Sequence, residues 1–292
     1  MKGKSFHYGY RFTKSPIFGR ALVIEIVPPQ TCPFNCIHCR YGKITACTIE
    51  RVDYLEKRNP AYDLPTILEG HSGVDHIVLT GRGEPALCAG ISSLIDTIKM
   101  VTKIPVAVMS CGTLLWRPDV RRELMHADMV TASIDAADKT VFHCVNRPHD
   151  LVPFERFVHG LRDFSQSYKG ELMVRVHLLD GVTAIEAEVV KLASLVNQIK
   201  AKRVFLTTAS RTPPNKCVFP VEDARLRYFA GFFGDNAMVV VLEAADGKKR
   251  KEKAETASEK KNVREKEINY GGSIFGKSGK WIRKAFQIER QF

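Results

Sequence analysis

The chain has 292 residues, 45% hydrophobic and 26% charged, the balance of a globular protein with a substantial core. No apolar run reaches the ~20 residues that cross a bilayer, and Met1-Lys2-Gly3-Lys4-Ser5 lacks a signal-peptide core, which predicts a cytoplasmic protein with no membrane partner. The net charge of +12 is carried at the ends: +5 over residues 1–20, +3 over 246–267 and +4 over 268–292, leaving the middle neutral. Any attraction for RNA therefore belongs to the basic termini, where loose solubilising charge is the plainer alternative.

The first strong element is the apolar run Ala21-Leu22-Val23-Ile24-Glu25-Ile26-Val27, a buried strand closed by Pro28-Pro29. Directly after it comes Thr31-Cys32-Pro33-Phe34-Asn35-Cys36-Ile37-His38-Cys39-Arg40, three thiols on a loop at the strand's C-terminal end. Sheets of alternating α/β folds usually keep their chemistry at that end. Three thiolates hold three corners of a metal site and leave one coordination position open, as catalysis requires. The alternatives are zinc held by the same thiols with His38 or Cys47, or thiols that serve as small buried hydrophobes. The other cysteines, Cys47, Cys88, Cys111, Cys144 and Cys217, are scattered, which points to a reducing compartment rather than a disulfide framework.

Residues 41–50 form a polar, Thr-rich loop placed to cover whatever the thiols hold. A helix is predicted around Leu64-Pro65-Thr66-Ile67-Leu68, with Pro in its first turn. His76-Ile77-Val78-Leu79 is strand two, and Thr80-Gly81-Arg82-Gly83-Glu84-Pro85 follows it. Ile91, Leu94, Ile95 and Ile98 mark an amphipathic helix over 90–103. Strand three is 105–109, a helix opens at Pro118, and strand four is 128–132. Phe154, Phe157, Val158, Leu161 and Phe164 trace the core face of another helix. Strand five spans 171–179, a helix carries Ile185, Val189, Leu192 and Val196, and strand six is 203–207. Six strands alternating with helices make a right-handed parallel βα series. Beyond them 221–233 reads as helix and 237–242 as a short strand. From Gly247 to Glu267 the chain is too polar to order itself, and Trp281, Ile282 and Phe286 mark a terminal helix.

In this order the motifs resemble the radical S-adenosylmethionine superfamily. Its hallmark is Cys-x3-Cys-x2-Cys with an aromatic or His before the last Cys, the place His38 fills. Gly81-Arg82-Gly83-Glu84-Pro85 resembles the family's glycine-glutamate-proline motif after the second strand. Ser133-Ile134-Asp135-Ala136 stands where the fourth strand meets the nucleoside, and Asn146-Arg147-Pro148-His149 follows. With Tyr8-Gly9 and Ser15-Pro16, the set is most similar to small proteins of the wyosine-synthase-like branch, over about residues 8–220. Three features depart from that branch. Ser110-Cys111-Gly112 replaces an Asn before the Gly, Arg175 and His177 stand at fifth-strand places that tend to hold an acid and an apolar residue, and no Cys precedes Cys32. The last speaks against the wyosine reaction itself, whose archaeal enzymes carry a second, upstream cluster.

The resemblance implies a partial (β/α)6 TIM-like barrel over residues 1–245, with a flexible basic tail over 246–292. It implies a 4Fe-4S cluster on Cys32, Cys36 and Cys39, with S-adenosyl-L-methionine on the open iron. One electron then splits the carbon–sulfur bond, and the adenosyl radical takes hydrogen from a substrate. Cofactor contacts fall to His38, Gly81, Gly83, Glu84, Ser133, Asp135 and Arg175. The glycines would let backbone approach the methionyl end, and Glu84 would orient its ammonium. Ser133 and Asp135 either serve the ribose and carboxylate side or merely finish a strand. Arg175 either neutralises the cofactor carboxylate or pairs with a nearby acid. Asn146 and Arg147 either gate the substrate or cap a helix beginning at Leu151. Cys111 either meets substrate or packs. A ferredoxin or flavodoxin would supply the electron. A tRNA nucleoside stands among the candidate substrates, a glycyl-radical activating enzyme is the sister reading, and a zinc-stabilised, non-catalytic RNA-binding protein is the competing class.

Overall fold

β1 (Gly9–Ser15) and β2 (Gly19–Glu25) form an antiparallel hairpin in which Gly9 faces Glu25 and Ser15 faces Gly19. Its turn needs glycine at 19, where φ is +66° and a Cβ would meet the Asp75 carboxylate at 2.4 Å. β2 leads into two short pieces, β3 (Thr31–Cys32) and β4 (Ala46–Cys47), which pair with each other alone. The main sheet continues with β5 (His76–Thr80), β6 (Val106–Met109), β7 (Met129–Ser133), β8 (Glu171–Leu178), β9 (Arg203–Thr208) and β10 (Met238–Val241). Its order is β1-β2-β5-β6-β7-β8-β9-β10, and every pairing after the hairpin is parallel. The parallel strands curl into a partial barrel, as expected. This computed structural model describes residues 8–56, 59–209 and 218–234, and the backbone of 238–241. The chain divides into Met1–Asp246 and Gly247–Phe292; the second unit, and with it the expected tail and terminal helix, lies outside the described residues.

The connections are helical where the apolar stripes place them: α1 (Leu64–Leu68), α2 (Ile91–Val101), α3 (Pro118–Leu124), α4 (Lys139–Val145), α5 (Phe154–Ser167), α6 (Glu186–Asn197) and α7 (Asp223–Ala230). The helix expected from Leu151 instead starts at Phe154: Pro153 disfavours helical backbone at the residue before it and is itself extended at the N-cap (φ −65°, ψ 155°).

Strand side chains alternate between two environments. Leu22, Ile24, Ile77, Leu79, Val106, Val108, Val130, Val174, Val176, Val204 and Leu206 face the helices and join one large core. The intervening residues Ala21, Val23, Val78, Ala107, Met129, Met173 and Phe205 join Phe18 in a separate apolar cluster that contains no helix residue. Further along the same inner face the residues become polar: Thr80 on β5, Thr131 and Ser133 on β7, Arg175 and His177 on β8, Thr207 on β9. The inside of the sheet is therefore plugged by hydrocarbon at one end and lined by hydrogen-bonding groups at the C-terminal end. The thiol loop leaves β2 at that polar end.

Candidate active site

The thiol loop is held from two sides. On one side Gln30 N donates to Arg82 O (2.8 Å) and Glu84 N to Thr31 O (2.9 Å). On the other, Asn35 N donates to Arg147 O (3.1 Å), Ile37 N to Val145 O (2.9 Å) and His149 N to Pro33 O (2.8 Å). Phe34 anchors the loop, buried edge-on against Phe142 (5.3 Å) and Phe157 (5.7 Å). Two non-glycine residues have positive φ among the described residues, Gln30 (56°) and Arg147 (45°), and both belong to this clamp. Cys32, Cys36 and Cys39 are all free and half-buried. Cys32 stands in register with exposed Cys47 across the β3–β4 pair.

Glu84 is 2% exposed and held on both carboxylate oxygens by the protein itself. Its Oε1 accepts from Ala86 N (3.0 Å) and Ser110 Oγ (2.6 Å), and its Oε2 from Cys111 N (2.8 Å). The glycines before it serve packing. Neither has positive φ, but a Cβ on Gly81 would stand 2.3 Å from Val27 Cγ2, and one on Gly83 2.3 Å from Thr31 O. The turn lies flush against the start of the thiol loop.

A second group gathers around Asp135, which is 3% exposed. Its Oδ2 accepts from Asn146 Nδ2 (3.0 Å) and lies 3.3 Å from His38 Nε2, while Oδ1 accepts from His177 N (3.2 Å). Burial opposes ionisation of Asp135, but the hydrogen bond and charge of His38, with the charge of Arg175, outweigh it and hold the carboxyl far below its usual range. Arg175 donates to Ser133 Oγ (2.8 Å), its register partner on β7. His177 stacks on His38 (4.4 Å, 27°), with its Nδ1 2.8 Å from Thr207 Oγ1. Burial first, then the positive charge of His38, pushes the His177 imidazole well below its ordinary value, so it is neutral. Sequence reasoning put His38, Glu84, Ser133, Asp135 and Arg175 at one cofactor site; the structure gathers His38, Ser133, Asp135 and Arg175 and holds Glu84 in a separate group with Ala86, Ser110 and Cys111. Sequence reasoning missed Thr207 and weighed Asn146 only as gate or cap. Asn146 caps α4, not α5, and its amide joins Asp135 to Cys36 Sγ (3.6 Å).

The residues fit an iron–sulfur cluster. The donor set is three free thiols on one loop, the chemistry such a cluster takes. Among the described residues no three His, Cys, Asp or Glu side chains converge tightly enough to grip a single ion. The thiolates of a multi-iron cluster stand further apart than that. Beside them the buried atoms His38 Nδ1, Asn146 Oδ1, Arg175 Nε and His177 Nε2 have no hydrogen-bond partner among the described residues. Burial raises the Cys36 thiol most, with Asp135 adding to it, and Cys39 and Cys47 less; Cys111, buried beside Cys32 and Glu84, is raised strongly too. Metal binding at the loop must therefore displace protons.

The sequence model of the Radical SAM superfamily matches residues 26–196, more than half of the chain, including the thiol loop, the 81–85 turn and Asp135. The chain belongs to this superfamily, whose members are enzymes. It is 31% identical over 227 residues to a UPF0026 protein of Helicobacter pylori, covering 74% of this chain and 71% of that one. It is also 31% identical over 223 residues to a Brachyspira hyodysenteriae protein named GTPase Obg, covering 76% of this chain and 33% of that protein, so the chain spans about one third of that relative. The fold resembles a structure described as TYW1 with a lysine-pyruvate adduct bound (TM-score 0.55, 17% identity, 74% of each chain). No helix among the described residues is long and apolar enough to cross a membrane.

Proposed function

We propose that this chain is a cytoplasmic radical S-adenosylmethionine enzyme that cleaves its cofactor reductively and takes hydrogen from a substrate. The reading rests above all on one observation: three free thiols are clamped beside a buried polar group at the C-terminal end of a parallel barrel. Cys32, Cys36 and Cys39 would hold a 4Fe-4S cluster, with His38, Gly81, Gly83, Glu84, Ser133, Asp135 and Arg175 forming the cofactor's walls. When bound, the cluster and the sulfonium supply one-electron cleavage of a carbon–sulfur bond.

The chain's own residues do the rest. Asp135 as carboxylate and Arg175 as cation offer both signs of charge to a zwitterionic amino acid group. Neutral His177 adds a ring nitrogen, Nε2, that bonds to none of the described residues. The apolar plug of Phe18, Val23, Val78, Met129, Met173 and Phe205 closes the inner end against water. Glu84, held on both oxygens by three protein donors, shapes the turn that supports the thiol loop. The electron comes from a ferredoxin- or flavodoxin-like protein, and the substrate class that best suits the basic termini is an RNA nucleoside. In this reading residues 1–245 form the catalytic domain and 246–292 an RNA-directed tail.

Anaerobic reconstitution tests the proposal. About four irons per chain and 5′-deoxyadenosine under dithionite are expected. One zinc per chain and no cofactor cleavage would replace it with a zinc-stabilised RNA binder. Deuterium passing from a labelled RNA or metabolite into the adenosyl product identifies the substrate.

A further inference from the structure

Asn146 is 2% exposed, and its side-chain nitrogen faces two acceptors on different segments: Asp135 Oδ2 at 3.0 Å and Cys36 Sγ at 3.6 Å. A carboxylate only accepts, so the edge turned to Asp135 must be the NH2 edge, and its two hydrogens serve the two neighbours. The backbone does not ask for asparagine here. The C-cap is right-handed (φ −91°, ψ −24°), a conformation any residue adopts, and the cap's own bond to Phe142 O comes from the main chain. The side chain is thus spent on joining one thiol of the loop to a buried carboxylate.

We propose that Asn146 sets the reduction potential of the cluster by donating an N–H···S hydrogen bond to Cys36. The inference rests on the cluster reading above and deepens it. Reduction adds negative charge that spreads onto the cysteine sulfurs, and a donor aimed at one of them stabilises the reduced form more than the oxidised one. The ionised Asp135 works the other way, since a negative charge beside the thiol loop disfavours taking up an electron. By bonding both anions at once, Asn146 offsets that field and keeps the cluster within reach of its one-electron donor. It is a positioning residue: it acts through Cys36.

The experiment is an EPR-monitored redox titration of the reconstituted full-length protein with dithionite, comparing wild type with Asn146→Ala. Expected are equal iron content, equal signal at full reduction, and a midpoint moved to more negative potential in the variant. Asn146→Ser, which keeps a polar group in the same space but cannot span both acceptors, covers a folding failure of the alanine variant and is expected to shift the same way. A midpoint unchanged or raised in a loaded variant overturns the role of Asn146 while leaving the cluster reading intact. Wild-type protein that takes up no four-iron cluster overturns both.

Discussion

Gly83 and Thr31 meet backbone to backbone: a Cβ at 83 would stand 2.3 Å from the Thr31 carbonyl oxygen, the same oxygen that accepts from Glu84 N at 2.9 Å. The obstacle is main chain, so no rotamer change relieves it. Gly83→Ala is expected to push the thiol loop outward at a cost of about 1–3 kcal/mol, with a corresponding loss of iron on reconstitution. Gly81→Ala meets a Val27 methyl instead and is expected to lose less iron. Equal iron in Gly83→Ala and wild type would show that the turn does not brace the loop.

The pH dependence of stability follows from His177. Its folded pKa lies well below the ordinary value of 6.5, so above that value neither the folded nor the unfolded chain carries the proton and the residue contributes nothing. As pH falls below it the unfolded chain takes up a proton that the native ring refuses. Stability is lost at up to ~1.4 kcal/mol per pH unit until the folded pKa is reached. Asp135, also lowered, adds its loss only at more acidic pH, below its ordinary carboxylate value of 3.8. Urea midpoints of wild type and His177→Phe between about pH 5 and 7 separate the two. The variant's curve is expected to be flatter, and parallel curves would mean the ring is protonated in the folded state.

How far the sequence carried this reading depends on the kind of burial involved. Parallel strands covered on both faces are continuous apolar runs, so β2, β5, β6 and β7 stand out by hydrophobicity alone. β1 exposes Tyr10, Arg11 and Lys14 and buries no residue fully, so an edge strand left no pattern to read. The thiols were legible from spacing, because all three ligands lie on one loop. The bond between Asn146 and Cys36 was not, since it joins residues 110 positions apart. The glycines were legible as necessary, but not that their missing side chains make room for the chain's own loop, since Val27 and Thr31 lie about fifty residues away in sequence.

Arg51 ties the far end of the 41–50 loop to the barrel. Its Nε donates to Ala86 O (2.9 Å), Nη2 to Cys88 O (2.9 Å) and Glu123 Oε2 (2.8 Å), and Nη1 to Glu123 Oε1 (2.7 Å) and Asp119 Oδ2 (3.3 Å). Arg51→Ala strands two carbonyls and unpairs Glu123, which keeps some contact with water. The cost is about 3 kcal/mol, a fall in Tm of roughly 6–12 °C. Arg51→Lys cannot reproduce the fork and is expected to recover less than half of that loss. Full recovery in the lysine variant, read by calorimetry, would mean that charge alone suffices.

The thiols make the sharpest division. Cys32→Ala, Cys36→Ala and Cys39→Ala are each expected to lose most of the iron and nearly all adenosyl product, because removing any one leaves two protein ligands for a cluster that needs three. Cys47→Ala is the informative partner. Cys47 faces Cys32 across the β3–β4 pair and is exposed, so it is the nearest substitute ligand by register. Under the cluster reading its loss leaves iron content and cleavage intact. Under a zinc reading that counts it as the fourth ligand, the same change strips the metal. Cys88, buried and pushed up to about 12 first of all by burial, is the inert control, and Cys88→Ala should change stability without touching metal content. Metal analysis and adenosyl-product assays across these five variants decide the matter, and iron retained in Cys36→Ala would remove the basis for the cluster.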